Sequence, residues 1–171
     1  NMESYTPGEQ PKDMEYIKLN TNESPFPPAP SVIEEVNSAE ISKLQLYPDP
    51  LCSELREKIA ELYKINKDNV FAANGSDDIL NFSFMAFCGE DKAAYFPEIS
   101  YGFYKVFADL HGLKYTAVPM NSDLSINYRD YCNADGFVVI ANPNAPTGLA
   151  LPVSQIEEIV RTNPENVVLI D

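Results

Sequence analysis

The chain has 171 residues, 44% hydrophobic and 22% charged, with 12 basic against 26 acidic side chains and a formal net charge of −14. That length and composition suit a domain with a real core, and the acidity argues against nucleic acid or an anionic membrane as partner. No apolar run approaches a membrane span and no charged-then-apolar leader opens these residues, while Cys52, Cys88 and Cys132 are widely spaced without a C-x-x-C pair; a cytoplasmic protein with no disulfide framework and no metal site is expected.

Residues 1–30 hold six of the fourteen prolines and little periodicity, which predicts an extended N-terminal arm. Ser31-x-x-Glu34 reads as a capping box opening a short helix with Val32, Val36 and Ala39 on one side. Leu46-Tyr47-Pro48-Asp49-Pro50 breaks it, and a helix follows with Leu55, Ile59, Leu62 and Tyr63 in register. Residues 31–68 are thus expected to form a helical segment of a small domain or interface.

From residue 69 onward the texture is that of the first part of a larger domain. Val70–Ala73 reads as a short strand, and Asn74-Gly75-Ser76 turns into a helix with Asp77 and Asp78 in its first turn. From Ile79 to Cys88 that helix is apolar nearly all round, so burial on more than one side is expected. Ala93–Phe96 predicts a strand, and Tyr101–His111 a helix with Phe103, Val106, Phe107 and Leu110 inward. The single histidine, His111, falls where a helix C-terminus welcomes partial positive charge. A strand over Leu113–Met120 and a short helix near Asn127–Tyr131 come next.

Phe137–Ala141, five apolar residues in a row, suits a central parallel strand buried on both faces. It runs into Asn142-Pro143-Asn144-Ala145-Pro146-Thr147-Gly148, where two prolines force the chain off the carboxyl edge of the sheet in a stiff turn. Ligands of open α/β sheets sit at that edge, although turn geometry alone would also account for the asparagines. A second capping box, Ser154-x-x-Glu157, opens a helix, and Val167–Ile170 forms a strand ending on Asp171. Strands alternating with helices make this an α/β protein with a partial, mainly parallel sheet flanked by helices. Too few helices follow to cover both faces of that sheet, so a fragment is expected.

The seven glycines never fall as G-x-G-x-x-G, and no G-K-[ST] occurs, which disfavours a dinucleotide fold or a P-loop within these residues. Asn74-Gly75-Ser76-Asp77 remains as an anion site: Gly75 permits a tight turn, and free N–H groups at a helix start suit a phosphate. Each hydrogen bond to a charged oxygen contributes about 1.5–3 kcal/mol, and distant acidic charge is screened over about 8–10 Å. A plain Ser76 N-cap is the alternative.

Several stretches resemble, in order, the amino-terminal half of the histidinol-phosphate aminotransferase family, fold-type I enzymes that use pyridoxal 5'-phosphate (PLP). They are Tyr5-x-Pro7-Gly8, Lys18–Pro25, Tyr47-Pro48-Asp49-Pro50, Asn74–Asp78, Tyr101-Gly102-x-Tyr104, the Asn142–Gly148 turn and Asp171. The resemblance implies a PLP-dependent transferase-like fold and a homodimeric enzyme of histidine biosynthesis, exchanging an amino group between a phosphate-bearing amino substrate and glutamate/2-oxoglutarate. Gly75, Ser76 and Asp77 would hold the cofactor phosphate, Tyr101 would stack on the pyridine ring, and Asp171 would pair with the ring nitrogen. Tyr47 would reach the cofactor phosphate of the partner subunit, and Tyr5 and Asn22 would close over substrate.

The chain departs from the family at Ala145, where an asparagine amide usually meets the ring oxygen of the cofactor; Asn144, one residue earlier, is the candidate replacement. No catalytic residue is expected in this chain, because the family's Schiff-base lysine lies beyond Asp171, and these residues alone should be inactive. Two alternatives stand beside this reading. One is another PLP enzyme on the same frame, such as a threonine-phosphate decarboxylase or an aromatic aminotransferase. The other is a non-catalytic, truncated α/β module that dimerises or binds.

Overall fold

Four strands, β1 (Ala93–Pro97), β2 (Tyr115–Val118), β3 (Gly136–Ile140) and β4 (Val168–Ile170), pair in the order β2-β1-β3-β4, and every pair is parallel. The computed structural model describes residues 9, 11–14, 16–20, 23–37 and 41–171. Among the described residues, five α-helices accompany the strands: α1 (Pro30–Glu35), α2 (Ser53–Tyr63), α3 (Gly75–Phe87), α4 (Phe103–Leu110) and α5 (Val153–Thr162). The chain divides into two units, Glu3–Ala72 and Ala73–Asp171.

The second unit holds the sheet. β3 is its central strand, and all five of its residues are buried. Successive side chains of a strand point to opposite faces, so Phe137, Val139 and Ala141 join one core while Val138 and Ile140 join the other. The first core is closed by Leu80 and Phe84 of α3 and by Tyr104, Phe107 and Ala108 of α4. The second is closed by Ile159 of α5 and Tyr131 of a short 3₁₀ turn. Phe84 is the aromatic hub of the first core: its ring meets that of Phe137 edge-on at 5.5 Å, with Phe107 at 5.8 Å and Tyr104 at 6.4 Å. Burial of one such ring stabilises the fold by roughly 1.5–3 kcal/mol.

Gly136 marks where β3 comes closest to its neighbour. A Cβ there would lie 2.2 Å from the carbonyl oxygen of Ala93, so no larger residue fits without moving β1. The continuous apolar run therefore gave the right strand, and the glycine before it sets the strand spacing.

In four places the structure differs from the sequence expectations. Val70–Ala73 forms no strand; the Val70 carbonyl instead accepts from Arg56 Nε at 2.8 Å, and Arg56 also holds the Lys67 carbonyl at 3.0 Å. Helix α3 is buried only along Leu80 and Phe84, because it lies on one face of the sheet; Phe82, Met85 and Phe87 remain about half exposed. Neither capping box forms. α1 starts at Pro30 and α5 at Val153, each one residue before the serine, with no side-chain cap bond. Helix α4 is rotated from its predicted phase: Tyr104, Phe107 and Ala108 are its buried residues, and Leu110 is exposed.

In the first unit, the described residues before Pro30 contain neither helix nor strand. α2 buries only Ala60, leaving Leu55, Leu62 and Tyr63 exposed. Tyr5, Asn22 and Ala39 lie outside the described residues.

Candidate functional site

The chain leaves β1 for β2 on one side, then crosses back to β3 on the other, so β1 and β3 flank a reversal of strand order. Loops at the carboxyl ends of two such strands part from each other and leave a crevice. The segments at this edge are Glu98–Gly102 after β1, Asn142–Gly148 after β3, Asp171 after β4, and the start of α3, which runs back into β1.

The start of α3 depends on Gly75, whose φ of +81° L side chains rarely adopt. Asn74 is the N-cap, not Ser76, and its side chain makes no cap bond. Its backbone N–H instead donates to Asp78 Oδ2 at 3.3 Å. Among the described residues, the N–H groups of Ser76 and Asp77 meet no protein acceptor. Such groups, with the helix dipole behind them, suit an anion. The Asp77 carboxylate is engaged as well, accepting from the Tyr101 hydroxyl at 2.8 Å.

Tyr101 connects this turn to the sheet edge. Its ring stacks on Phe103 at 5.6 Å with the planes 16° apart, and meets the Tyr104 ring edge-on at 5.7 Å. Tyr104 is fully buried, and its hydroxyl donates to Asp171 Oδ2 at 2.7 Å. Burial first, and the Asp171 carboxylate second, hold the Tyr104 phenol well above its ordinary pKa, so it remains a donor through the physiological range. Asp171 continues the β4 ladder: its N–H donates to the Ile140 carbonyl and its own carbonyl accepts from the Asn142 N–H, both at 3.0 Å. Asp77, Tyr101, Tyr104 and Asp171 therefore form one line of contacts along the carboxyl edge.

The turn after β3 is built from its own polar groups. Asn142–Pro143 and Ala145–Pro146 are cis. The Asn142 side chain exchanges two bonds with the backbone of Leu151, and the Gly148 N–H donates to the Asn144 carbonyl at 2.7 Å. The Asn144 side chain is buried; its Nδ2 donates to the Ile99 carbonyl at 2.9 Å and to Thr147 Oγ1 at 3.2 Å, while its Oδ1 accepts from Ser100 at 2.8 Å. The amide thus ties the loop after β1 to the loop after β3. Its Nδ2 protons are shared between the loop after β1, at Ile99, and the turn itself, at Thr147.

Of the expected site residues, Gly75, Ser76, Asp77, Tyr101, Asn144 and Asp171 stand on this edge, whereas Tyr47 belongs to the first unit, where its ring is exposed. Sequence reasoning missed Tyr104 and Ser100. The signal for Tyr104 was its place one helical turn after Tyr101, among apolar neighbours that leave a hydroxyl in need of a partner. His111 is the C-cap of α4, and its Nε2 pairs with Asn81 Oδ1 of α3 at 2.7 Å. Among the described residues, no cluster of potential metal ligands occurs and no helix is long and apolar enough to cross a membrane.

Comparison with known proteins gives this edge its context. The chain is 52% identical over its whole length to the histidinol-phosphate aminotransferase of Brachyspira hyodysenteriae, of which it covers 48%. It is 48% identical over 99% of its length to the enzyme of that name from Clostridium acetobutylicum, again covering 48%. The chain thus spans about half the length of these curated relatives. Its fold matches the crystal structure of histidinol-phosphate aminotransferase from Sinorhizobium meliloti in complex with pyridoxal-5'-phosphate, with a TM-score of 0.80 at 23% identity over 88% of this chain and 42% of that one. L-threonine-O-3-phosphate decarboxylase from Porphyromonas gingivalis has the same fold, with a TM-score of 0.71 at 18% identity over 82% and 44% of the two chains. Residues 14–171 match the family described as aminotransferase class I and II, and the chain belongs to that family.

Proposed function

We propose that the intact protein is a PLP-dependent aminotransferase that interconverts imidazole-acetol phosphate and histidinol phosphate, with glutamate as amino donor. The observation that carries this reading is the contact line from Asp77 through Tyr101 and Tyr104 to Asp171. It joins an anion cradle, an aromatic face and a carboxylate on one sheet edge, which is the donor set that a phosphorylated, nitrogen-containing aromatic ring requires. The residues present fit the cofactor.

When bound, pyridoxal phosphate supplies the electron sink for the bond broken at the substrate Cα. The N–H groups of Ser76 and Asp77 hold its phosphate, supported by the dipole of α3. Both neighbouring carboxylates are engaged, Asp77 by Tyr101 and Asp78 by the Asn74 N–H. Tyr101 lies against the ring, an aromatic contact worth roughly 0.5–1.5 kcal/mol beyond its buried area. Asp171 pairs with the ring nitrogen and favours its protonated form. Asn144 sets the width of the crevice by holding the loops after β1 and β3 together.

The identity to the Brachyspira and Clostridium enzymes supports histidinol phosphate over threonine phosphate as substrate. The intact protein is assigned to the cytoplasm and to a homodimer in which exposed Tyr47 reaches the partner's cofactor phosphate. Loss of cofactor retention in Tyr47→Phe would support that role, and unchanged affinity would remove it. The proposal as a whole is tested by offering histidinol phosphate, threonine phosphate and phenylalanine separately to the intact protein with PLP and 2-oxoglutarate. Turnover of histidinol phosphate is expected; turnover of only the other two would overturn the substrate assignment.

A further inference from the structure

The functional reading uses the contact line through Tyr104 but gives the Tyr104 hydroxyl no task of its own. Its ring is fully buried between α3 and the sheet, with Phe96 at 5.8 Å and Phe84 at 6.4 Å. These contacts fix the ring without any help from its hydroxyl. The hydroxyl nevertheless crosses 67 residues of sequence to reach Asp171 Oδ2 at 2.7 Å, within the range of a charge-assisted O–H···O⁻ bond. Among the described residues, no other side chain donates to that carboxylate. A carboxylate at a strand end has a free side-chain torsion, and a single donor from a rigid ring is enough to select one rotamer. With Oδ2 occupied, Oδ1 is the oxygen left to present.

We infer that Tyr104 is a positioning residue that holds the Asp171 carboxylate, so that one oxygen is bound by protein and the other is offered to the cofactor's ring nitrogen. The inference rests on the cofactor reading above and deepens it. Tyr104 itself touches neither cofactor nor substrate; it acts through Asp171. A rigid ring locked by Phe84 and Phe96 suits this task better than a flexible donor, because the oxygen it binds then has a fixed address relative to the sheet.

The test is a double-mutant cycle on the intact protein, read as PLP affinity of the apo-protein by absorbance or fluorescence titration. Tyr104→Phe keeps the ring and removes only the hydroxyl, so the apo-protein should melt within a few degrees of wild type. Its PLP affinity should fall roughly tenfold, the scale of a lost hydrogen bond to a charged group. In an Asp171→Ala background the same change should cost less than about twofold, since the partner it acts through is gone. Equal effects in both backgrounds, an unchanged affinity in Tyr104→Phe, or an apo-protein that no longer folds would each overturn the inference and assign Tyr104 to the core alone. If Asp171→Ala itself leaves PLP affinity unchanged, the cofactor reading fails, and that result is distinct from failure of the coupling alone.

Discussion

Ser100 and Asn144 are 44 residues apart in sequence, yet the Ser100 hydroxyl donates to Asn144 Oδ1 at 2.8 Å where the two crevice loops meet. Asn144 is 1% exposed and also donates to the Ile99 carbonyl. It is the polar tie between the segment that carries Tyr101 and the turn that follows β3.

Asn144→Ala should therefore act first on stability. The partly exposed Ile99 carbonyl and Ser100 hydroxyl would each lose a hydrogen bond contributing about 0.5–1.5 kcal/mol. Urea unfolding of the intact protein should show a loss of about 1–3 kcal/mol. Asn144→Asp should not rescue it, because an ionised carboxylate accepts hydrogen bonds but cannot donate to Ile99. Wild-type stability in either variant would show that the tie is dispensable.

Gly136→Ala tests the spacing between β1 and β3. The added methyl would meet the Ala93 carbonyl at 2.2 Å, and that atom belongs to a paired backbone. Overpacking in a filled interior costs about 1–3 kcal/mol, and a backbone contact leaves little room for relief. A lower melting temperature and poorer soluble yield are expected, whereas a wild-type melting curve would show that the strands separate freely.

Cys88 predicts an alkaline loss of stability. Burial pushes its thiol from 9.0 up to about 11. The folded state then keeps the proton while the unfolded chain releases it, so unfolding is favoured as pH rises. The contribution is fully present below about pH 9 and is lost as pH climbs through the folded value near 11. Urea midpoints measured from pH 8 to 11 should fall more steeply for the wild type than for Cys88→Ala. Parallel curves would remove Cys88 from the effect.

The sheet was legible where a residue pattern admits one solution. The run Phe137–Ala141 is too short for a helix and too apolar for a solvent-facing strand, and β3 is buried on both faces as that pattern requires. The start of α3 was legible as a position, since a glycine followed by an acidic first turn marks a helix N-terminus. The plain Ser76 cap that stood as the alternative does not form: Asn74 is an equally good cap by type, and the φ of Gly75 separates the two. Helix α4 was out of phase because Phe103 and Tyr104 are adjacent aromatics, and tertiary contact with Phe84 selected the second. The role of Asn144 could not be read locally, since its partners Ile99 and Ser100 come from the other side of the crevice. Val70–Ala73 has strand-like residues, but a guanidinium 14 positions earlier takes the Val70 carbonyl.

The parallel register also sets an order of assembly. A nascent chain synthesised as far as Gly148 already contains the helix start at Ser76 and the aromatic at Tyr101, but not the strand that delivers Asp171. Until β4 docks beside β3, Tyr104 has no carboxylate to grip. Contacts this distant in sequence are reached late on the way to the native state. On the proposed cofactor reading, chains that stop short of β4 should therefore draw little from the cell's cofactor pool.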